Sequence, residues 1–323
     1  MPKKTLVVVL LAAAFCPAVV VALLPGPRLR PPGRSLSDHR RQQVGGGSCV
    51  EFFFPPQRPC GVGVQRRRRM QPPPLEMASL PEALALNCAL ASVGKALKQT
   101  ALTNAGLLHA TLLGVVLLSS SFGWRAYSTC VAYLVLGTAV TKVRQKEKEA
   151  EGIAEKRGGA RGPENVWGSA ATAALCAVGA GFFGFPTTLA VAFVASLATK
   201  LSDTTQSEIG KAFGKRTYLI TTFRSVPRGT EGAVSLEGTL AGLAASVLLP
   251  LYAASVGFLG WFPDVPICIV AAFVATTAES LLGATVQGSV AFLTNEVVNF
   301  IMTLIGAAVA AGLYVLLSFL SPL

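Results

Sequence analysis

A succession of apolar segments, each close to the length needed to cross a bilayer, is the strongest constraint on how this chain folds. They fall near 101–120, 124–142, 166–184, 186–200, 234–257, 265–286 and 298–320, with a weaker one at 80–97. A bilayer core takes about 20 apolar residues per helix. The sequence therefore predicts an all-α, polytopic membrane helix bundle with about seven transmembrane helices, within a range of six to eight.

The segment at 186–200 is short for a full span, and Phe185-Pro186 in front of it predicts a broken or re-entrant pair with the preceding segment. A mean hydropathy of +0.55, with 52% hydrophobic and 14% charged residues, makes a soluble globular protein of this length improbable.

The net charge of +12 suggests a nucleic-acid partner until it is divided by region. Residues 1–70 carry twelve Lys/Arg against Asp38 and Glu51, whereas residues 71–323 carry sixteen against fourteen acidic residues. Because the excess belongs to the N-terminal region, no nucleic-acid partner is expected.

The N-terminal 70 residues have the composition of a targeting sequence. Lys3 and Lys4 precede an apolar run at 5–24, and an Arg-, Pro- and Gly-rich, acid-poor tail follows it. A signal-like run before a transit-like tail indicates a two-part address to a plastid surrounded by extra membranes. An ordinary signal anchor with a disordered tail is the alternative. We therefore expect a disordered targeting region at 1–70, with a transit peptide, and a multi-span membrane domain at 71–323.

The basic residues of the membrane domain are distributed asymmetrically. If all the segments cross, fifteen of the sixteen Lys/Arg after residue 70 fall on one side and only Arg125 on the other. This bias follows the positive-inside rule. The polar segments at 142–165 and 200–233 are therefore predicted to share one aqueous face.

The polar segment Lys200–Gly238 is the main candidate site. On a helix with 100° per residue, one narrow arc contains Lys200, Asp203, Ser207, Lys211 and Gly214, with Glu208 and Gly210 at its edges. Asp203 and Glu208 are predicted to hold Mg²⁺, which takes carboxylates together with substrate phosphates. Lys200 and Ser207 are predicted to bind phosphate, and Gly210 and Gly214 would let phosphate oxygens approach the backbone. The alternative is a solvated juxtamembrane helix.

Further phosphate-binding candidates come from nearby loops. Arginine side chains, flexible glycines and a helix N-terminus all suit phosphate, although a basic turn against lipid headgroups is nearly as good an interpretation. The candidates are Lys215, Arg224, Arg228, Gly229 and Thr230, and, from the second half of Lys142–Pro163, Lys156, Arg157 and Arg161. The first half of Lys142–Pro163 is predicted to be a solvated helix.

The last candidate site residues are acidic and amide side chains in the apolar segments. Glu279 lies in an apolar segment, where acids are costly and usually functional. A lone acid can instead pair with a lysine or lie near an interface. Asn295, Glu296 and Asn299 begin the last segment on the loop side and are weaker candidates for the same site.

The motif KLSDTTQSEIGKAFGKRTYLITTFRSVPRGTEGAVSLEGTLAG resembles that of the plant and algal phytyl-phosphate kinases of vitamin E biosynthesis. The surrounding EAEGIAEKRGGARGPENVWGSAA, AESLLGA and TNEVVN extend the similarity over roughly residues 85–320. These kinases belong to the integral membrane family that also contains transmembrane protein 19. Thr204-Thr-Gln departs from the usual small residues of the motif.

The resemblance implies a multi-pass plastid (chloroplast) membrane enzyme that converts phytyl phosphate to phytyl diphosphate, for tocopherol and phylloquinone synthesis. It implies a nucleoside triphosphate, CTP or ATP, as phosphoryl donor. A phosphate monoester has a second pKa near 6, so phytyl phosphate is itself a competent nucleophile. Positioning and electrostatics then suffice, with Asp203, Glu208 and Lys211 as the predicted catalytic residues and Mg²⁺ as the inferred cofactor.

Two other functions fit parts of this pattern. A phytol or polyprenol kinase would act on the free alcohol and would need Asp203 or another carboxylate as a base. A transporter of an anionic lipid or metabolite would distribute polar residues through several spans near the midplane. Here the polar residues concentrate at one face, which favours phosphoryl transfer.

Overall fold

The computed structural model describes residues 77–96, 101–285 and 294–320, and the predicted targeting region lies outside them. A short 3₁₀ turn forms at Lys156–Gly159, and β1 (Thr217–Leu219) pairs antiparallel with β2 (Ala233–Ser235). The helices are α1 Leu80–Ala96, α2 Asn104–Leu118, α3 Gly123–Thr141, α4 Gln145–Ala150, α5 Pro163–Phe183, α6 Pro186–Phe213, α7 Leu236–Ser255, α8 Asp264–Thr285 and α9 Asn295–Leu320. The predicted helical class is confirmed; the sequence did not predict the two-stranded sheet.

The described helices coincide closely with the predicted apolar segments, but their length and composition support fewer spans than predicted. Among the described residues, four helices are long and apolar enough to cross a membrane, and α2 is a shorter apolar helix. The four are α5, α7, α8 and α9. The count of seven is therefore not confirmed and stays a prediction.

The short segment predicted at 186–200 is part of the long helix α6, which continues to Phe213. The chain stays helical beyond Lys200 because residues 201–209 contain neither Gly nor Pro, the two residues that interrupt helices most strongly. In front of it, Gly184 ends α5 in a left-handed conformation (φ +68°), and Pro186 starts α6. The predicted break is thus a tight turn between two complete helices.

Helix α6 is the centre of the bundle and packs against α3, α5, α7, α8 and α9. Every residue from Ala190 to Asp203 is buried. Small side chains such as Ala192, Ala195 and Ala198 allow the neighbouring helices to approach closely. Because this buried run extends as far as Asp203, the first charged residues of α6 lie inside the bundle.

Glycines bring α7 against the polar half of α6. A Cβ atom at Gly238 would lie 2.5 Å from the Gln206 carbonyl oxygen, and one at Gly242 would lie 3.0 Å from that of Ser202. The Ser202 hydroxyl donates a hydrogen bond to the Gly242 carbonyl at 2.9 Å. This contact fixes where α6 meets the start of α7.

We expect Gly238→Ala to destabilise the protein by about 1–3 kcal/mol, since the added methyl group overlaps the backbone of α6. Thermal unfolding of the detergent-solubilised protein measures the change. Gly312→Ala in α9 is the matched control, because a Cβ there meets nothing within 4 Å. Equal melting temperatures for the two variants would contradict this account of the α6–α7 contact.

Candidate functional site

The two polar segments of the chain, 142–162 and 200–235, meet at one end of the bundle, which we call the polar end. The guanidinium of Arg144 donates to the carbonyl oxygen of Ala212 at 2.7 Å. The ion pairs that join the segments are Lys148–Glu208, Lys211–Glu155 (3.6 Å) and Arg228–Glu151 (2.7 Å). The two segments therefore share one end of the bundle, and that this end faces water stays a prediction.

The inner part of the polar end is a cluster around Lys200. Its ammonium group donates to the Asp203 carboxylate at 2.6 Å and to the side-chain oxygen of Asn299 at 2.9 Å. All three residues are less than a tenth exposed. Glu279 lies within electrostatic range of Lys200 and Asp203. The packing of α8 and α9 on α6 thus brings together four of the predicted residues from three helices.

The outer part of the polar end is a cluster around Glu208, which is only 1% exposed. One carboxylate oxygen accepts from the ammonium group of Lys148, and the other lies 3.4 Å from that of Lys211. Lys148 also donates to the Thr141 carbonyl oxygen at 2.9 Å. The predicted solvated helix is corrected here, because α4 packs on α6 and Lys148 is buried as the counter-ion of Glu208.

Lys211 lies beyond the predicted span and carries a fixed positive charge. Burial by itself lowers the pKa of Lys211, but the neighbouring charges of Glu208 and Glu155 outweigh burial and raise it above its ordinary value. The side chain is therefore protonated at neutral pH. Its predicted catalytic role is accordingly electrostatic, not proton transfer.

The two predicted Mg²⁺ ligands, Asp203 and Glu208, lie in different clusters. Both oxygens of Glu208 face ammonium groups, so Glu208 does not fit as a metal ligand in this arrangement. Asp203 fits better, because one of its oxygens makes no hydrogen bond within the described part of the chain. The described residues contain no group of three or more His, Cys, Asp or Glu suited to a metal. Mg²⁺ needs only one or two carboxylates when substrate phosphates supply other ligands.

Gly210, Gly214 and Ser207, which were predicted on the same arc, do not line the inner cluster. A Cβ atom at either Gly210 or Gly214 would lie 3.2 Å from the Ser235 hydroxyl oxygen. These glycines therefore serve close packing against the start of α7, which departs from the predicted approach of phosphate to the backbone. Ser207 is exposed and does not lie with the buried Lys200 and Asp203.

The predicted basic residues divide into paired and unpaired groups. Arg157 forms an ion pair with Glu164, and Arg228 forms one with Glu151. The side chains of Lys156, Lys215 and Arg224 are exposed and form no ion pair among residues 77–96, 101–285 and 294–320, although the Lys215 backbone N–H donates to the Glu237 carboxylate at 3.4 Å.

The turn that precedes β2 contains the last two predicted phosphate contacts. Gly229 adopts a left-handed conformation (φ +84°), and a Cβ there would lie 2.9 Å from the Ile153 side chain. The Thr230 hydroxyl donates to the Pro227 carbonyl oxygen at 2.8 Å. Both residues are exposed at the rim of the polar end.

Arg161 differs from the other predicted cations because its side chain enters the bundle. The guanidinium carbon lies 5.2 Å from the centre of the Tyr133 ring on α3. Sequence analysis did not single out Tyr133, since a tyrosine within an apolar segment has no local signal that separates a site residue from a packing residue.

These features define a multi-pass helical membrane protein that carries a cluster of buried charges at one end. The family described as integral membrane protein DUF92 matches residues 87–307, and the chain belongs to this family.

Three relatives come from distant lineages. An uncharacterized membrane protein of Synechocystis sp. is 53% identical over 72% of this chain and 90% of its own length. Protein VTE6, chloroplastic, of Arabidopsis thaliana is 47% identical over 71% of this chain and 70% of its own length. An uncharacterized membrane protein of Methanocaldococcus jannaschii is 33% identical over 70% of this chain and 91% of its own. No solved structure matches the chain.

We expect Lys148→Met to destabilise the protein by about 3–5 kcal/mol, because it leaves the buried Glu208 without its main counter-ion. The double variant Lys148→Met/Glu208→Met should recover much of the loss, since no unpaired carboxylate remains. Thermal unfolding in detergent measures both effects. Lys146→Met, on an exposed residue of the same helix, is the control. A similar loss in the control would show that the ion pair is not the cause.

Proposed function

We propose that this protein is a membrane kinase that converts phytyl phosphate to phytyl diphosphate, with a nucleoside triphosphate as donor and Mg²⁺ as cofactor. The observation that carries the proposal is the buried cluster of Lys200, Asp203 and Asn299 at the polar end of a membrane helix bundle. On this proposal, a lipid phosphate would reach the cluster from the bilayer and a nucleotide would reach it from the polar end. The resemblance of the central motif to phytyl-phosphate kinases supports the choice of substrate.

The proposed reaction needs little covalent chemistry from the protein. An oxygen of the phytyl phosphate dianion attacks the γ-phosphorus of the nucleotide, and the bond from that phosphorus to the bridging oxygen breaks. The products are phytyl diphosphate and a nucleoside diphosphate. Since the attacking oxygen already carries negative charge at neutral pH, no general base is required. Catalysis then depends on positioning and on stabilising negative charge.

The residues of the inner cluster suit these two tasks. Asp203 would hold Mg²⁺ together with the nucleotide phosphates, and bound Mg²⁺ would neutralise part of their charge. Lys200 is fixed in place by Asp203 and Asn299, so its positive charge is oriented before substrate binds. Lys211 adds a permanent positive charge from the outer cluster. Glu279 lies beside the inner cluster as a further acid.

The likeness to a chloroplastic relative supports a plastid membrane as the location of this protein. In that setting phytyl diphosphate would serve as the prenyl donor for tocopherol and phylloquinone. A lipid product of this kind is made and consumed in the membrane, which agrees with a multi-pass protein.

We expect purified protein in detergent with Mg²⁺ and γ-labelled CTP or ATP to form labelled phytyl diphosphate from phytyl phosphate. Asp203→Asn should lower the rate by at least about a hundredfold, because it removes the charge that holds the metal and orients Lys200. Glu149→Gln on the exposed face of α4 is the control and should keep the wild-type rate.

Other outcomes would identify the competing functions. Transfer to phytol but not to phytyl phosphate would assign the protein to the free-alcohol kinases. Absence of transfer to either acceptor by folded protein, with both nucleotides tested, would contradict a kinase and favour a transporter of anionic lipids or metabolites. Melting temperatures of wild type and Asp203→Asn show whether a low rate reflects lost folding.

A further inference from the structure

Arg161 is half-buried, and contacts of both its backbone and its side chain hold it in place. Its backbone N–H donates to the Ala101 carbonyl oxygen and its carbonyl oxygen accepts from the Thr103 N–H, both at 3.0 Å. The guanidinium lies over the Tyr133 ring. Gly137 makes room for it, because a Cβ atom there would lie 2.5 Å from Nη2 of Arg161. The position of this arginine is therefore determined by the fold.

The guanidinium of Arg161 and the hydroxyl of Tyr133 have no hydrogen-bond partners within the described part of the chain. None of the five N–H donors of the Arg161 guanidinium makes a hydrogen bond or ion pair there. The Tyr133 hydroxyl is buried, with the residue only 3% exposed, and it also has no partner among the described residues. Buried polar groups are nearly always hydrogen-bonded, so the buried Tyr133 hydroxyl beside the half-buried Arg161 guanidinium suits a ligand that accepts hydrogen bonds from both.

Lys200 connects this place to the inner cluster. It lies within electrostatic range of Tyr133. A lysine ammonium group has three donors, and the contacts to Asp203 and Asn299 use two of them. One donor of Lys200 is therefore left for a ligand between α3 and α6. Thr138 on α3 and Thr205 on α6 are two further buried residues whose hydroxyls lack a partner in the described chain.

We propose that Arg161, the Tyr133 hydroxyl and Lys200 form the pocket that binds the phosphate monoester of the lipid acceptor. An arginine fork binds two phosphate oxygens at once, the phenol donates to the third, and the ammonium group balances the remaining charge. This inference rests on the proposed kinase function and adds to it a division of the site between its two substrates.

The place of the pocket determines which substrate it takes. A lipid phosphate keeps its chain in the membrane, so its headgroup is reached from among the helices. Tyr133 is buried in the bundle, and the Arg161 guanidinium lies over its ring. The nucleotide arrives from water, where the exposed and unpaired cations Lys156, Lys215 and Arg224 are found. We therefore assign the inner pocket to the acceptor and the exposed cations to the donor.

Tyr133→Phe is the most specific test, because the hydroxyl it removes has no hydrogen bond within the described part of the protein. Its melting temperature should equal that of wild type, while the Kd for labelled phytyl monophosphate, measured in nanodiscs without nucleotide, should rise about tenfold. Tyr127→Phe on the same helix is the matched control, since that hydroxyl donates to Asn87 at 3.2 Å. The control should lose thermal stability and keep the wild-type Kd.

Arg161→Gln tests the charge of the pocket. We expect the Kd and KM for phytyl monophosphate to rise about thirtyfold or more, with the KM for the nucleotide unchanged within about twofold. Arg161→Lys should recover only part of the loss, since lysine lacks the planar fork. Arg125→Gln, which the charge distribution places on the opposite side of the membrane domain, controls for the loss of an arginine.

The binding measurement separates this inference from the kinase proposal. Wild-type affinity in both Tyr133→Phe and Arg161→Gln would overturn the pocket even if transfer occurs. A defect confined to the nucleotide KM would overturn its assignment to the acceptor. Binding that is lost in both variants, in a protein that transfers no phosphate, would support the pocket and contradict the kinase.

Discussion

The burial of charge on α6 is the constraint on which the rest of the polar end depends. A charged group inside a protein is stable only with a partner, so each buried charge determines the position of another element. Lys200 contacts Asp203 on its own helix and Asn299 at the start of α9. Glu208 contacts Lys148 on α4, a helix of only six residues. The buried charges therefore fix the positions of α4 and of the start of α9 relative to α6, which apolar packing alone would fix less firmly.

Pairing also determines which cations remain available to a substrate. Arg228 and Arg157 already have carboxylate partners, so a phosphate would have to displace a glutamate from either of them. The net gain from such an exchange is small compared with binding to a free guanidinium. Arg161 is free of this competition within the described residues and is held over Tyr133. The structure thus narrows a long list of basic candidates to those whose charge is not already neutralised.

Sequence predicted the helices well and the site only in part. The helix positions follow from the long apolar runs, since backbone groups in lipid must be satisfied within a helix. Lys146 and Lys148 occur in the same alternating KEKE context, yet Lys148 is 2% exposed and Lys146 lies on the surface. The contacts of Lys148 with Glu208 and with the Thr141 carbonyl oxygen distinguish the two lysines. Likewise, sequence cannot separate a glycine that admits a ligand from one, such as Gly214, that admits a neighbouring helix.

The spacing of the two clusters along α6 suits two phosphorylated substrates that meet end to end. Asp203 and Glu208 are five residues apart, which is about 8 Å along a helix axis. Reacting atoms must approach to about 3–3.5 Å, so the proposed donor would extend its terminal phosphate inward to the acceptor beside Lys200. Its remaining phosphates would then lie towards the outer cluster, where Lys211 keeps a permanent positive charge. The order of Lys200 and Lys211 along α6 therefore places the proposed acceptor at the inner cluster and the nucleotide at the outer cluster.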